Sequence, residues 1–186
     1  MATIRLWLFR GLAIIAAVLM LVSVKMPWWT ADVSTEASTP SGVTAFTVSL
    51  YQYGIPSSMG ASFYSTDVTP FFQTILAWVY IGVSIGLILL STWLKGKKGK
   101  WLLGGIGLVY VAYAVIALVL ITIRTKDYGI SLQGHTYVEQ YLASIDTGLH
   151  LGYYLTYASG LACIVLAVFR DRILGKGKLN ALKTGN

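Results

Sequence analysis

Three long stretches without a charged residue constrain this chain more than any other feature: residues 68–94, 101–123 and 147–169. The hydrocarbon core of a bilayer is about 30 Å thick, and a helix needs roughly 20 apolar residues to cross it. A water-soluble domain carries about 25% charged residues, whereas this chain has 11% charged and 56% hydrophobic residues. The sequence therefore predicts an integral membrane protein with at least three spanning helices.

A fourth span is predicted near the N-terminus. Arg10 and Lys25 leave only 14 uncharged residues between them, which is about 21 Å of helix and too short to cross alone. Extended to residues 7–28, the helix is about 33 Å long, and the two basic side chains would reach opposite surfaces. A cleaved signal peptide is the alternative, but no small-residue cleavage pattern precedes Pro27.

We therefore predict an all-α integral membrane fold, a four-helix transmembrane bundle in a single domain over residues 1–186. The predicted spans are approximately 7–28, 69–94, 101–123 and 148–169. Eleven of the fourteen basic residues fall at the N-terminus, in the loop 95–100 and in the tail 170–186. The positive-inside rule then places both termini in the cytoplasm. Interface aromatics are expected at Trp7, Trp28, Trp29, Trp93 and Trp101.

The net charge of +7 follows from this topology and predicts contact with anionic lipids at the cytoplasmic face, not with nucleic acid. The absence of loop cysteines and of glycosylation sequons favours a prokaryotic plasma membrane. The layout is similar to that of claudin-type tetraspan proteins, although the W-x(n)-G-L-W-C-C signature of their first loop is missing here.

The two outer loops, 29–68 and 124–147, predict a small extracytoplasmic cap. In the first loop, "GVTAFTVSLYQYG" predicts a strand over 43–53, and "ASFYST" could return as the second strand of a β-hairpin. In the second loop, apolar residues at helical spacing predict an amphipathic helix over 136–147. We expect the strand to cover the helix through six apolar side chains: Phe46, Val48, Leu50, Val138, Leu142 and Ile145.

The predicted helix would place four candidate metal ligands on one face: His135, Glu139, Asp146 and His150. Imidazole and carboxylate groups can bind Zn, Cu or Fe. A solvated face with weak ion pairs is the simpler interpretation. The two histidines would lie ~22 Å apart along the helix, so one ion could not bind both.

Small residues within the spans predict close helix packing, because lipid provides no hydrophobic drive between helices. The candidates are Gly82, Gly86, Gly104, Gly107, Gly152, Thr156 and Gly160.

No catalytic arrangement is visible in the sequence, and we expect neither an enzyme nor a bound cofactor. No charged residue lies in the middle of a span, where proton and ion pathways usually place them. Cys163 is the sole cysteine, which excludes dithiol chemistry. The leading hypothesis is a non-catalytic accessory or assembly subunit that binds other membrane subunits or a second copy of itself. An oligomeric channel or small-solute transporter is one alternative, and a membrane redox or metal-handling subunit is another.

Overall fold

The computed structural model describes residues 2–35, 45–51, 71–94, 96–139 and 142–175. This part of the chain is mostly helical with a small sheet. Its elements, in chain order, are α1 (Ala2–Lys25), β1 (Trp29–Thr35), β2 (Ala45–Leu50), α2 (Phe71–Trp93), α3 (Lys97–Asp127), β3 (Gly134–Val138), β4 (Ala143–Leu149) and α4 (Leu151–Ile173).

Three of the described helices are long and apolar enough to cross a membrane: Thr3–Lys25 in α1, Lys97–Asp127 in α3 and Leu151–Ile173 in α4. In α2 a shorter apolar stretch is found, Trp78–Trp93. The predicted membrane-type helical fold is confirmed at this level. The helix bounds differ from the predicted spans, because α3 takes up most of the basic loop 95–100 and α4 begins only at Leu151.

The chain divides into two compact units, and every helix contributes to both. The first unit comprises Met1–Leu21, Tyr80–Tyr113 and Thr156–Asn186. All four helices contribute side chains to its core, and α1 and α4 contribute alanines. The core residues are Phe9, Ala13, Ala16, Ala17, Met20, Ile88, Leu103, Ile106, Tyr110, Cys163, Leu166 and Ala167.

The backbones of α3 and α4 meet at Gly107 and Gly160. A Cβ atom on Gly107 would lie 2.6 Å from the carbonyl oxygen of Gly160, and one on Gly160 would lie 2.9 Å from Cγ2 of Val111. Only glycine fits both positions without moving the helices apart.

The second unit comprises Val22–Val79 and Ala114–Leu155. Its four described strands form one antiparallel sheet in the order β2-β1-β4-β3. Two backbone hydrogen bonds continue the β1–β4 pairing toward the helices, from His150 N to Trp28 O at 2.9 Å and from Gly152 N to Pro27 O at 3.0 Å. A Cβ on Gly152 would lie 2.7 Å from that Pro27 oxygen. The close approach of the two backbones at Gly152 and Pro27 therefore also requires glycine at position 152.

The predicted amphipathic helix over 136–147 is wrong, because β3 and β4 occupy this segment as a hairpin. Its spacing of apolar residues fits a helix, but Thr136, Tyr137, Val138 and Ile145 are residues that favour strands. An isolated helix of this length is only marginally stable in water, whereas β4 is fixed by its pairing with β1.

The strand predicted over 43–53 is found as β2, which pairs with β1. The predicted second strand, "ASFYST", lies outside the described residues. Within the described part of the first loop, β1 and β2 form an antiparallel pair. Pairing of β1 with β4 joins the two loops into one sheet. The predicted contact between the loops was the packing of a strand on a helix, whereas the observed contact is backbone pairing between two strands.

Candidate functional site on the polar face of the sheet

The sheet has one apolar and one polar face, because side chains alternate along each strand. The register aligns Val48, Ala31 and Thr147 on the apolar face. Ala31, Ala143 and Ile145 are buried there, and Val48, Leu50 and Val138 are half-buried. Phe46 belongs to β2, but its side chain lies outside the described part.

Leu142 does not join this packing, which corrects its predicted role. It lies in the turn between β3 and β4 with φ of 44°, and its side chain is 49% exposed.

A row of four polar residues crosses the whole polar face. Register places Thr47 opposite Asp32, Asp32 opposite Asp146, and Asp146 opposite His135. The Thr47 hydroxyl donates to Oδ1 of Asp32 at 2.5 Å, and Nδ1 of His135 donates to Oδ1 of Asp146 at 2.8 Å. Each carboxylate is therefore held from its outer side by the neighbouring strand. We refer to Thr47, Asp32, Asp146 and His135 as the polar row.

The centre of the polar row sets two carboxylates against each other on adjacent strands. Directly opposite side chains have Cβ atoms about 4.5–5.5 Å apart, and like charges there destabilise a sheet. The side chains of His135 and Asp146 are 59% and 65% exposed, so an external group can reach them. Hydroxyls flank the row on one side, where Ser34 and Ser144 share a hydrogen bond of 2.6 Å.

The four candidate metal ligands do not converge. His135 pairs with Asp146 across β3 and β4, whereas His150 Nε2 lies 2.6 Å from Oγ1 of Thr30. Glu139 follows β3 and is exposed. Within the described ranges, no three histidine, cysteine, aspartate or glutamate side chains are placed to hold a metal ion. The two helical His–carboxylate pairs predicted from the sequence are wrong, since neither segment is helical.

The predicted packing residues divide into two groups. Gly104, Gly107, Gly152 and Gly160 meet other elements closely, and Thr156 is fully buried. A Cβ on Gly82 or Gly86 would have no atom of the described chain within 4 Å. The G-x-x-x-G motif of α2 is therefore exposed with respect to the described residues.

The five predicted interface tryptophans differ in their exposure. Trp7, Trp93 and Trp101 are largely exposed, as an aromatic belt requires. Trp28 is instead buried, at 2% exposure, and makes an edge contact with the Tyr153 ring, 5.9 Å between centroids. Trp29 is half-buried, and its indole N–H donates to the Leu132 carbonyl at 2.9 Å, which fixes the segment before β3.

Arg170 is an ordered residue that sequence reasoning assigned only to a basic tail. It is 3% exposed, and its guanidinium lies 5.5 Å from the Phe9 ring centroid. It donates to the carbonyls of Leu94 and of Gly96, the latter at 3.2 Å. Both residues follow the last residue of α2, Trp93, so Arg170 caps the turn between α2 and α3. No sequence signal links residues so far apart along the chain.

Neither a known family model nor a curated protein matches this sequence. The architecture alone therefore defines the class of protein. It is a membrane-type helical protein whose apolar helices are joined to a sheet made from two separate loops.

Proposed function

We propose that this chain is a four-span, non-catalytic accessory or assembly subunit of a larger complex in a prokaryotic plasma membrane. The observation that carries the proposal is the polar row, with Asp32 facing Asp146 on an exposed face. Two opposed carboxylates cost stability in the isolated sheet. A basic side chain from a partner, above all an arginine that can bind bidentately, would remove that cost on binding.

The proposed topology places both termini in the cytoplasm and the sheet outside. The ends of α1 and α3 lead toward β1 and β3, and β4 leads into α4. All three connections therefore belong on one side of the membrane. In the sequence, eleven basic residues belong to the opposite ends of these helices or to the segments beyond those ends, and the positive-inside rule assigns such segments to the cytoplasm. The fourth crossing is α2, whose sequence is uncharged over residues 68–94.

The exposed glycines of α2 support a second contact, within the bilayer. Gly107 and Gly160 are used inside the chain, whereas Gly82 and Gly86 are open. Small residues four apart allow another helix to approach closely. We assign this face to a helix of the partner subunit or of a second copy.

The test is purification from native membranes after mild crosslinking, comparing wild type with two variants. Asp32→Asn/Asp146→Asn and Gly82→Ile/Gly86→Ile should each lower recovery of a stoichiometric partner at least severalfold. Gly105→Ile is the matched control, because Gly105 is equally open on α3. A wild-type protein that elutes as a lone monodisperse monomer overturns the proposal.

A further inference from the structure

We propose that the groove between α1 and α4 binds one anionic phospholipid, with an acyl chain along the groove and its phosphate at Arg172 and Arg5. The groove has a volume of about 640 Å³ and runs between Leu12 and Leu19 on α1 and between Ala162 and Ile173 on α4. Except for Arg172, its lining is apolar. The inference requires that α1 and α4 lie in a bilayer, but it does not depend on a partner subunit.

The dimensions of the groove fit one leaflet. On α4 it extends over eleven residue steps, or about 16 Å at 1.5 Å per residue. Half of a bilayer core is about 15 Å. Ala16 and Ala162 keep the groove deep, and Ile15 and Val165 form its exposed rims. A second helix, about 10–12 Å wide with its side chains, is too large for this volume, whereas a single acyl chain is not.

One guanidinium group lines the α4 C-terminal end of the groove, and a second lies beside the turn that follows α4. Arg172 lies 5.6 Å from the centroid of the Phe169 ring, and both residues line the groove. A Cβ atom on Gly175 would collide with Nη1 of Arg5, and the Gly175 N–H donates to the Arg172 carbonyl at 3.1 Å. Arg5 thus lies beside the same turn as Arg172.

The positive charge at this end is available to an external anion. Asp171, the neighbouring acid, pairs with Lys100 at 3.8 Å. In the part of the chain that the structure describes, Arg5 and Arg172 have no ion-pair partner. Arg170 is already bonded to the carbonyls of Leu94 and Gly96. Arginine forks match phosphate oxygens bidentately, so the charge and the apolar groove together select a lipid with a net negative headgroup.

The experiment measures lipid retention by native mass spectrometry and thermal unfolding of the full chain in neutral detergent. The probes are phosphatidylglycerol, phosphatidylcholine and inorganic phosphate. Wild type should retain phosphatidylglycerol at least tenfold more than phosphatidylcholine, and should be stabilised by phosphatidylglycerol but not by phosphate. Arg172→Gln should lower the preference about tenfold. Ala162→Phe should fill the groove and prevent retention of both lipids. If this variant fails to fold, Val165→Trp on the exposed rim replaces it and should have the same effect on lipid retention.

Lys98→Gln is the matched control, because it removes the same charge from an exposed site on α3. It should leave the preference within twofold of wild type. An equal loss in Arg172→Gln and Lys98→Gln would mean diffuse surface attraction and would overturn the site. Equal stabilisation by inorganic phosphate would overturn the acyl-chain component, and so would undiminished lipid retention in the groove-filling variants.

Discussion

Asp32 and Asp146 lie directly opposite each other on adjacent antiparallel strands, although 114 positions separate them in the sequence. Thr47 and His135 hold the outer sides of the two carboxylates. The pair therefore opposes the stability of the sheet while keeping a defined geometry.

The first prediction is that Asp32→Asn stabilises the isolated protein while weakening partner recovery. Removing one of two facing like charges should raise stability by roughly 0.2–1 kcal/mol, read as an increase in thermal unfolding temperature in detergent. Glu139→Gln makes the same charge change at an exposed site outside the polar row and should leave both measurements unchanged. A decrease in stability on Asp32→Asn would contradict the repulsion.

The second prediction concerns Arg170. Arg170→Met should destabilise the protein by about 1–3 kcal/mol, because it removes the charged donor from which the Leu94 and Gly96 carbonyls accept hydrogen bonds. Thermal unfolding in detergent measures the loss. Lys98→Met, at an exposed position, should change stability by less than about 0.5 kcal/mol. Similar effects for the two variants would rule out the capping role.

The third prediction compares two glycines of α3. Gly107→Ala should cost about 1–3 kcal/mol, since its Cβ would meet the Gly160 carbonyl at 2.6 Å and push α4 away. Gly105→Ala meets no atom within 4 Å, so it should be neutral or favourable, given the higher helix propensity of alanine. Unfolding temperatures that shift equally would show that α3 and α4 do not approach at Gly107.

A fourth prediction follows from the turn between β3 and β4. Leu142→Asn should be neutral or stabilising, because asparagine tolerates the positive φ better than leucine. Ile145→Asp should destabilise the sheet, because Ile145 is only 8% exposed and a charge there would be buried without a partner. Limited proteolysis from the outer side should therefore be faster than wild type only for Ile145→Asp. Faster cleavage of Leu142→Asn than of wild type would instead indicate that Leu142 packs on the apolar face of the sheet.

The fifth prediction tests the proposed topology. A membrane-impermeant maleimide added to intact cells should label Ser34→Cys on the polar face and should label Lys98→Cys only after the membrane is opened. Wild type provides the unlabelled control, because its single cysteine, Cys163, is buried. Labelling of Lys98→Cys in intact cells would reverse the orientation.

The helices and the strand β2 were predictable, because long uncharged runs and β-branched residues are local signals. In the second loop the spacing of the apolar residues fits a helical period, which favours a helix although the segment forms strands. The segment "ASIDTGL" also alternates small or apolar with polar residues, from Ala143 and Ile145 to Ser144 and Asp146, and this was the signal for β4. The Asp32–Asp146 pairing and the Arg170 cap join distant positions, so no local pattern could reveal them.

The β1–β4 pairing has a consequence for biosynthesis. β1 leaves the ribosome directly after α1, whereas β4 is synthesised more than a hundred residues later, just before α4. Until then, β1 can pair with β2 on one edge, but its other edge presents unpaired backbone groups, a state that favours pairing with foreign strands. Such late, long-range closure is slow compared with helix formation. The interval between translation of Ala31 and translation of Thr147 is therefore when the nascent chain most needs protection from aggregation.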